Sequence, residues 1–465
     1  MNSTGSKIIA ISSLCVACAG EPTVTRPRVE PTGPSVLWIS LDTVRADHLS
    51  LYGGRASCPN LQAVADEGLV FEQAISHFPE TQFSHWSMLT GVLPEAHGNV
   101  PGTGGSAYTG PTIAELTVGA GYDTAAFIGG VTLLDRDCGL SRGFQLYDDQ
   151  FVPDPLTQAR PASEVTRAAV SWIETRQGPW FAFVHYFDAH FPYTPQRSDL
   201  YDHDYHGTMD GTEATLAPHR DHGAPMAPRD LEHVVALYDA EITELDDALA
   251  SLLAATGPDT MVVITSDHGE SFENGYLFNH RSVLYDSVLH VPLIVKAPGL
   301  TPGRVARQVG LVDLLPTVAT VAGLPLPKPI HGRSLLTRAP DGGLQPASAA
   351  HGEDSLLWAR TDPWLPGALL AARGGDHKAI WDEHGQGRAY DLAADPSELE
   401  QLPVPPQLSH APNDYRLLLQ QMAPLQRPLP LRVLPLDAAE RLRLEALGYL
   451  PHRPEPDPTA KPGSP

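Results

Sequence analysis

The stretch "ITSDHGES" delivers Asp267 and His268 side by side at the end of an apolar run and turns at Gly269. A carboxylate oxygen next to an imidazole nitrogen is a donor pair that suits Zn or Mn, although a turn-capping Asp beside a satisfied histidine has the same spelling. Asp42 ends a second such run in "ISLDTVRAD", and "VHYFDAHFPYTP" ends a third with His185, Asp188 and His190. The segment "SHFPETQFSHWSMLTG" (76–91) reads as too polar for a core helix and too rich in special residues for an ordinary loop. Thr81 and Ser84 within it are both candidates for a helix N-cap, and a helix start also favours a bound anion.

Residues this far apart in the chain meet only if the fold brings them to one edge. "SVLWISLDTVRAD" is a short apolar run that ends abruptly in charge, as strands buried on both faces do. "NLQAVADEGLVFEQAI", "TIAELTVGAGYDTAAFIGG", "RAAVSWIETRQGPWFAFVHYFDAH" and "ITELDDALASLLAATGPDTMVVITSDHGE" each repeat a helix, a glycine and a strand. The expected fold class is α/β, a doubly wound, mostly parallel sheet with helices on both faces, followed by a smaller C-terminal α+β subdomain. Ligands of open sheets of this kind sit at the carboxyl ends of the strands, where Asp42, His185, Asp188, His190, Asp267 and His268 all fall. Strand alternation turns His185 away from His190, five positions on, and leaves it out of the predicted site.

The 465 residues bound several further properties. With 42% hydrophobic and 18% charged residues, most of the chain is expected to fold. The 45 prolines gather in linkers, turns and the tail. A net charge of −24 with no basic stripe excludes a nucleic-acid partner, so an anionic substrate must be received by a few local cations or a metal. Residues 1–18 have the layout of a secretory signal, and "CVAC" resembles a lipobox in which Cys18 would be lipidated and attach the protein to a membrane. The expected organisation is that signal, a Pro-rich linker (19–34), a catalytic α/β domain (35–334), a C-terminal subdomain with a small antiparallel sheet (335–450) and a disordered tail (451–465). The expected location is exported, in the cell envelope or periplasm, where Cys58 and Cys138 could pair.

Several blocks in fixed order carry a resemblance: "VLWISLDTVRADHLSLYG", "CPNLQAVADEGLVFEQA", "SHWSMLTG", "HYFDAHFPYTP", "ITSDHGESFENGYLFNHRSVLYDSVLHVPLIV" and "YDLAADPSELEQL". The chain resembles the sulfatase family of the alkaline phosphatase superfamily over roughly residues 35 to 450. The resemblance implies that Asp42, Asp267 and His268 hold a metal. It places Thr81 where the family's C-x-P-S-R or S-x-P-S-R motif has its nucleophile, with Phe83 and His85 replacing the proline and arginine. A threonine cannot yield the formylglycine aldehyde on which sulfatases rely, whereas superfamily members that transfer phosphoryl groups use threonine. By the same resemblance His190 faces the substrate and Arg281 takes the place of a lysine that binds the transferred group. His280 could complete a second metal site, and Arg45 accompanies the first Asp ligand. Thr43 stands where many sulfatases have a second Asp, which removes a hard ligand and favours Mn or Zn over Ca, with one or two divalent ions expected. The insert "YDHDYHGTMDGTEATLAPHRDHGAP", with His203, His206, His219 and His222, reads as a His-rich surface loop at the rim, where substrate choice is set.

The sequence therefore predicts a metal-dependent hydrolase of a sulfate or phosphate ester, its residue chemistry favouring phosphoryl transfer through Thr81. A phosphotransferase, or an inactive surface-anchored binding protein on the same fold, are the alternatives.

Overall fold

The computed structural model describes residues 31–99, 105–154, 157–273, 275–347, 356–361 and 367–421. The signal, Cys18, the late helix "AAERLRLEALGYL" and the tail lie outside them. An eight-stranded sheet is built from β1 (Ser35–Leu41), β2 (Leu69–Ile75), β3 (Asp123–Phe127), β4 (Leu146–Asp148), β5 (Trp180–Tyr186), β6 (Thr260–Thr265), β7 (His290–Lys296) and β8 (Gly303–Gly310). Its order is β4-β3-β5-β1-β6-β7-β2-β8, and only β7 runs against the others.

The apolar runs form this sheet because both faces are covered. Val36 and Trp38 enter one core cluster and Leu37, Ile39 and Leu41 the other, so each strand feeds two cores by simple alternation. Cys58 and Cys138 are free and buried in different clusters, on opposite sides of the sheet. A second layer of topology sets the site: β1 lies between β5 and β6 with Ser40 opposite both His185 and Thr265, so the three polar strand ends share one edge.

Helix α1 (Pro59–Asp66) starts on a proline at its first turn and gives way at Gly68 before β2. Helix α2 (Thr81–Thr90) stops on Gly91, whose φ of 70° lies in the left-handed region. All ten residues of α2 are buried, which corrects the expectation that this segment is too polar for a core helix. Its polar side chains are satisfied inside: Gln82 Nε2 donates to Thr132 O at 3.0 Å and Ser84 Oγ to Asp267 O at 2.7 Å. Ser84 therefore pins a strand end and does not cap the helix.

A ribbon of β9 (Leu336–Arg338) and β10 (Leu344–Pro346) precedes a four-stranded antiparallel sheet of β11 (Leu357–Arg360), β12 (Leu370–Gly374), β13 (His377–Trp381) and β14 (Gly387–Asp391). Among the described residues no helix is long and apolar enough to cross a membrane.

Candidate functional site

Asp42 follows the last residue of β1, and its backbone N–H still bonds to Tyr186 O at 2.9 Å, which holds it level with the end of β5. Asp267 and His268 follow β6 after Ser266. Ser76 Oγ and Ser84 Oγ both donate to Asp267 O, at 2.6 and 2.7 Å, fixing that turn from below. Thr81 is the first residue of α2. These elements bring one ligand atom each from Asp42, Asp267 and His268 within 4.8 Å of one another. Thr81 Oγ1 joins them, donating to Asp42 Oδ2 at 3.3 Å and lying 3.4 Å from His268 Nε2.

The donor set fits a divalent cation. Thr43 N–H at 3.3 Å and His268 N–H at 2.9 Å occupy Asp267 Oδ1, leaving buried Oδ2 without a hydrogen-bond partner. Asp42 Oδ1 is likewise buried and unpartnered. His268 Nδ1 lies 3.0 Å from Gly269 O, so it carries the proton and Nε2 presents its lone pair to the carboxylates. Burial, then the Asp267 charge, pushes the Asp42 carboxyl well above its ordinary range. Burial also pushes Asp267 up, but His268, His85 and His185 together pull it below. Two fully buried carboxylates this close are relieved either by a proton on Asp42 or by a cation between them. The residues that would hold it are Asp42, Asp267 and His268, with Thr81 Oγ1 alongside.

His185, excluded on strand parity, is part of this site: its Nε2 is 3.1 Å from Asp42 Oδ2. Ser40 and Asp42 share one face of β1, and His185 is paired with Ser40, so its side chain points to the same face. His190 lies beyond the strand end, where alternation no longer applies. His85, one turn after Thr81, donates from Nδ1 to Thr81 O at 2.7 Å, and its Nε2 accepts from Ser40 Oγ at 2.9 Å. Burial lowers the pKa of His85 to about 3 and that of His185 to about 4, so both are neutral and act as fixed dipoles.

Thr43 has φ of 59°, a costly conformation for a β-branched residue. It is held by Oγ1 donating to Ala189 O at 3.0 Å and by Tyr238 OH donating to Thr43 O at 2.7 Å. The strain aims its N–H at Asp267.

The remaining predicted residues divide. His190 stacks on Phe187 at 4.2 Å, and its Nδ1 lies 2.8 Å from Phe191 O, so Nδ1 carries the proton. Burial, then His280, lowers its pKa to about 3, so the ring is neutral, which disfavours a role as proton donor to a leaving oxygen. His280 lies 4.3 Å from His268 ring to ring, and both its nitrogens are buried without a hydrogen-bond partner. Glu270, unmarked in the sequence reading, is fully buried beside it, with Oε1 3.5 Å from His280 Nδ1 and Oε2 accepting from Tyr193 OH at 3.0 Å. Arg281 pairs with buried Glu80, the residue before Thr81, at 3.1 Å. Arg45 does not point its guanidinium at the ligands: it grips Asp47 at 2.7 Å and Glu273 at 2.8 Å while its stem packs on Gly269. Asp188 Oδ1 accepts from Ala162 N–H at the start of the helix Ala162–Ile173, so it serves that helix rather than a metal. Among the described residues no second metal cluster forms.

The sequence profile of the Sulfatase family matches residues 34–324, more than half of the chain. The chain belongs to the sulfatase family. Arylsulfatase K of Xenopus laevis is 29% identical over 200 residues, 38% of this chain, and the match spans 35% of that protein's length. The Delta 4,5-hexuronate-2-O-sulfatase of Bacteroides thetaiotaomicron is 24% identical over 467 residues, covering 90% of this chain and 94% of that protein. Among solved structures, that of BT4656 with its substrate D-glucosamine-2-N,6-O-disulfate matches with a TM-score of 0.65 and 18% identity, covering 84% of this chain and 98% of that one. The phosphonate monoester hydrolase of Agrobacterium radiobacter matches with a TM-score of 0.63 and 20% identity over 84% of this chain and 96% of that one. The sulfatase fold is thus shared with hydrolases of both sulfur and phosphorus esters.

Proposed function

We propose that this sulfatase-family protein is an exported metal-dependent hydrolase of a singly esterified or diesterified phosphorus acid, using Thr81 as nucleophile, on a fold that also serves sulfate esters. The observation that carries the reading is Thr81 Oγ1 at the start of α2, 3.3 Å from Asp42 Oδ2 and 3.4 Å from His268 Nε2. The methyl on the Thr81 Cβ rules out an aldehyde at this position, so the formylglycine route of sulfate hydrolysis is closed and direct attack by the hydroxyl is the remaining chemistry.

A divalent cation held by Asp42, Asp267 and His268 would supply charge stabilisation for the nucleophile and the equatorial oxygens. Thr81 Oγ1 forms the bond to the central atom as the ester bond breaks, its proton passing to Asp42 Oδ2, the acceptor it already faces, and then to the departing oxygen. In the second step water bonds to the central atom as the bond to Oγ1 breaks, and one water proton passes by way of Asp42 Oδ2 back to Thr81 Oγ1, with the neutral His190 ring facing the substrate. Arg281, paired with Glu80 beside Thr81, would grip an oxygen of the transferred group after leaving that carboxylate.

The test is turnover of aryl phosphate monoester, diester, phosphonate monoester and sulfate substrates with Mn, Zn, Ca or chelator, beside Thr81→Ala. Metal-dependent phosphorus-ester hydrolysis lost by a thousandfold or more in Thr81→Ala is the expected result. Sulfate turnover that survives Thr81→Ala would overturn the reading. Metal binding with silence on every substrate would favour the binding protein instead.

A further inference from the structure

The His-rich insert is not only a surface loop. Its helix, Glu213–His222, is seated by Leu216, which is fully buried with Phe191 and Tyr193. The preceding Gly211 (φ of 78°) lies against the Tyr193 backbone so closely that a Cβ would meet Tyr193 O at 1.8 Å, and Tyr193 N–H bonds to Gly211 O at 3.0 Å. The insert is therefore registered against the segment that carries His190.

From that helix Arg220 turns inward. Its side chain is 4% exposed, and its guanidinium lies 4.1 Å over the ring of Phe191, the residue after His190. Asp221 binds one side of it, accepting from Nε at 2.7 Å and from Nη2 at 3.1 Å. Nη1 is buried without a hydrogen-bond partner. The guanidinium is within electrostatic reach of His280 and of Tyr193, which flank Glu270. A buried guanidinium costs several kcal/mol to desolvate unless its protons find acceptors. Here two N–H groups of Nη1 lack one, over the ring of the residue that follows His190. Water or an acceptor brought by a ligand completes such a pattern.

We propose that Arg220 binds an acidic oxygen substituent on the leaving group of the substrate, so that the substrate carries two anionic centres: the scissile ester at Thr81 and a carboxylate-like group at Arg220. The inference rests on the reading of the Thr81 site as an ester hydrolase. It explains how a chain of charge −24 selects an anion: one cation is delivered by the insert's helix, packed over the residue after His190.

Two measurements test it. The first compares KM for phenyl and 4-carboxyphenyl esters of the same phosphorus acid, in the wild type, Arg220→Gln and Arg220→Lys. The wild type is expected to favour the carboxylated ester by about tenfold, with the preference erased in Arg220→Gln and partly kept in Arg220→Lys. The second needs no turnover: calorimetric titration of 4-hydroxybenzoate and of phenol into metal-loaded Thr81→Ala protein, with and without Arg220→Gln. Tighter binding of 4-hydroxybenzoate that depends on Arg220 supports the proposal. Equal binding of the two, or a preference that survives Arg220→Gln in a variant with wild-type melting temperature, overturns it; where Arg220→Gln melts early, Arg220→Lys decides by the same ratio. Silence on both esters with an Arg220-dependent preference for 4-hydroxybenzoate would remove the hydrolase reading and leave the anion site standing.

Discussion

Asp42 and Asp267 each have one carboxylate oxygen held by hydrogen bonds and one, Oδ1 of Asp42 and Oδ2 of Asp267, buried without a hydrogen-bond partner. What fixes that division is a set of neutral groups: His185 on Asp42 Oδ2, and the N–H groups of Thr43 and His268 on Asp267 Oδ1. His185 acts through Asp42, so His185→Ala should weaken Zn or Mn affinity by about 10- to 100-fold, read by metal titration, with the fold retained. An unchanged affinity would show that Asp42 is oriented by other means. Asp42, Asp267, His268 and Thr81 were legible because each stands where an apolar run breaks into charge or where a known motif has its nucleophile. His185 was not, because its parity was judged against His190 beyond the strand end; the pairing of β1 with β5 is what places it. Glu270, Glu80 and Arg220 gave no sequence signal, since acids and arginines that turn inward are spelled like those that face water.

Helix α2 is the element that presents Thr81, and it is held from behind by His97. His97 Nε2 lies 3.1 Å from Phe83 O and 3.2 Å from Ser87 Oγ, while Nδ1 accepts from Asn99 N–H at 3.2 Å. Burial lowers the pKa of His97 from 6.5 to about 3. The unfolded chain therefore takes up a proton as pH falls through 6.5, while the folded chain resists until about 3, so this residue's contribution is full above 6.5 and declines below it. His97→Gln removes that linkage. The destabilisation it causes at pH 7.5 should shrink by about 2 kcal/mol at pH 5, measured by denaturant unfolding of both proteins. A difference that stays constant with pH would mean that His97 titrates normally in the fold. The helix itself was misjudged in the sequence because its polarity was counted without partners; a helix that fills a site's floor takes its hydrogen bonds from the elements around it.

At the scale of the molecule, the strand order puts β1 between two parallel neighbours, and that one fact gathers three distant polar clusters on one edge. The βα rhythm made this order predictable in class, though not the reversed β7 that follows the Asp267 turn. The C-terminal sheet is fastened to the site's back by Lys378 on β13, fully buried, with Nζ 2.7 Å from both Asp286 Oδ1 and Glu398 Oε1. Ser287, next to Asp286, carries the carbonyl that a Cβ on Gly269 would meet at 2.1 Å, so the same segment closes the Asp267–His268 turn. Lys378→Met leaves fully buried Glu398 without its lysine, while Asp286 keeps Arg373 at 3.3 Å, and should lower unfolding stability by about 3 kcal/mol in denaturant titration, where a change under about 1 kcal/mol would show that the network is not needed. The central claim is that the buried Thr81 hydroxyl forms a bond to the substrate's phosphorus. Acid-quenched reactions of metal-loaded protein with an aryl phosphodiester, digested and weighed by mass spectrometry, test it most directly. A phosphoryl adduct confined to the peptide with Thr81, and absent with chelator, is the predicted result; an adduct on another residue, or turnover retained by Thr81→Ala, would contradict it.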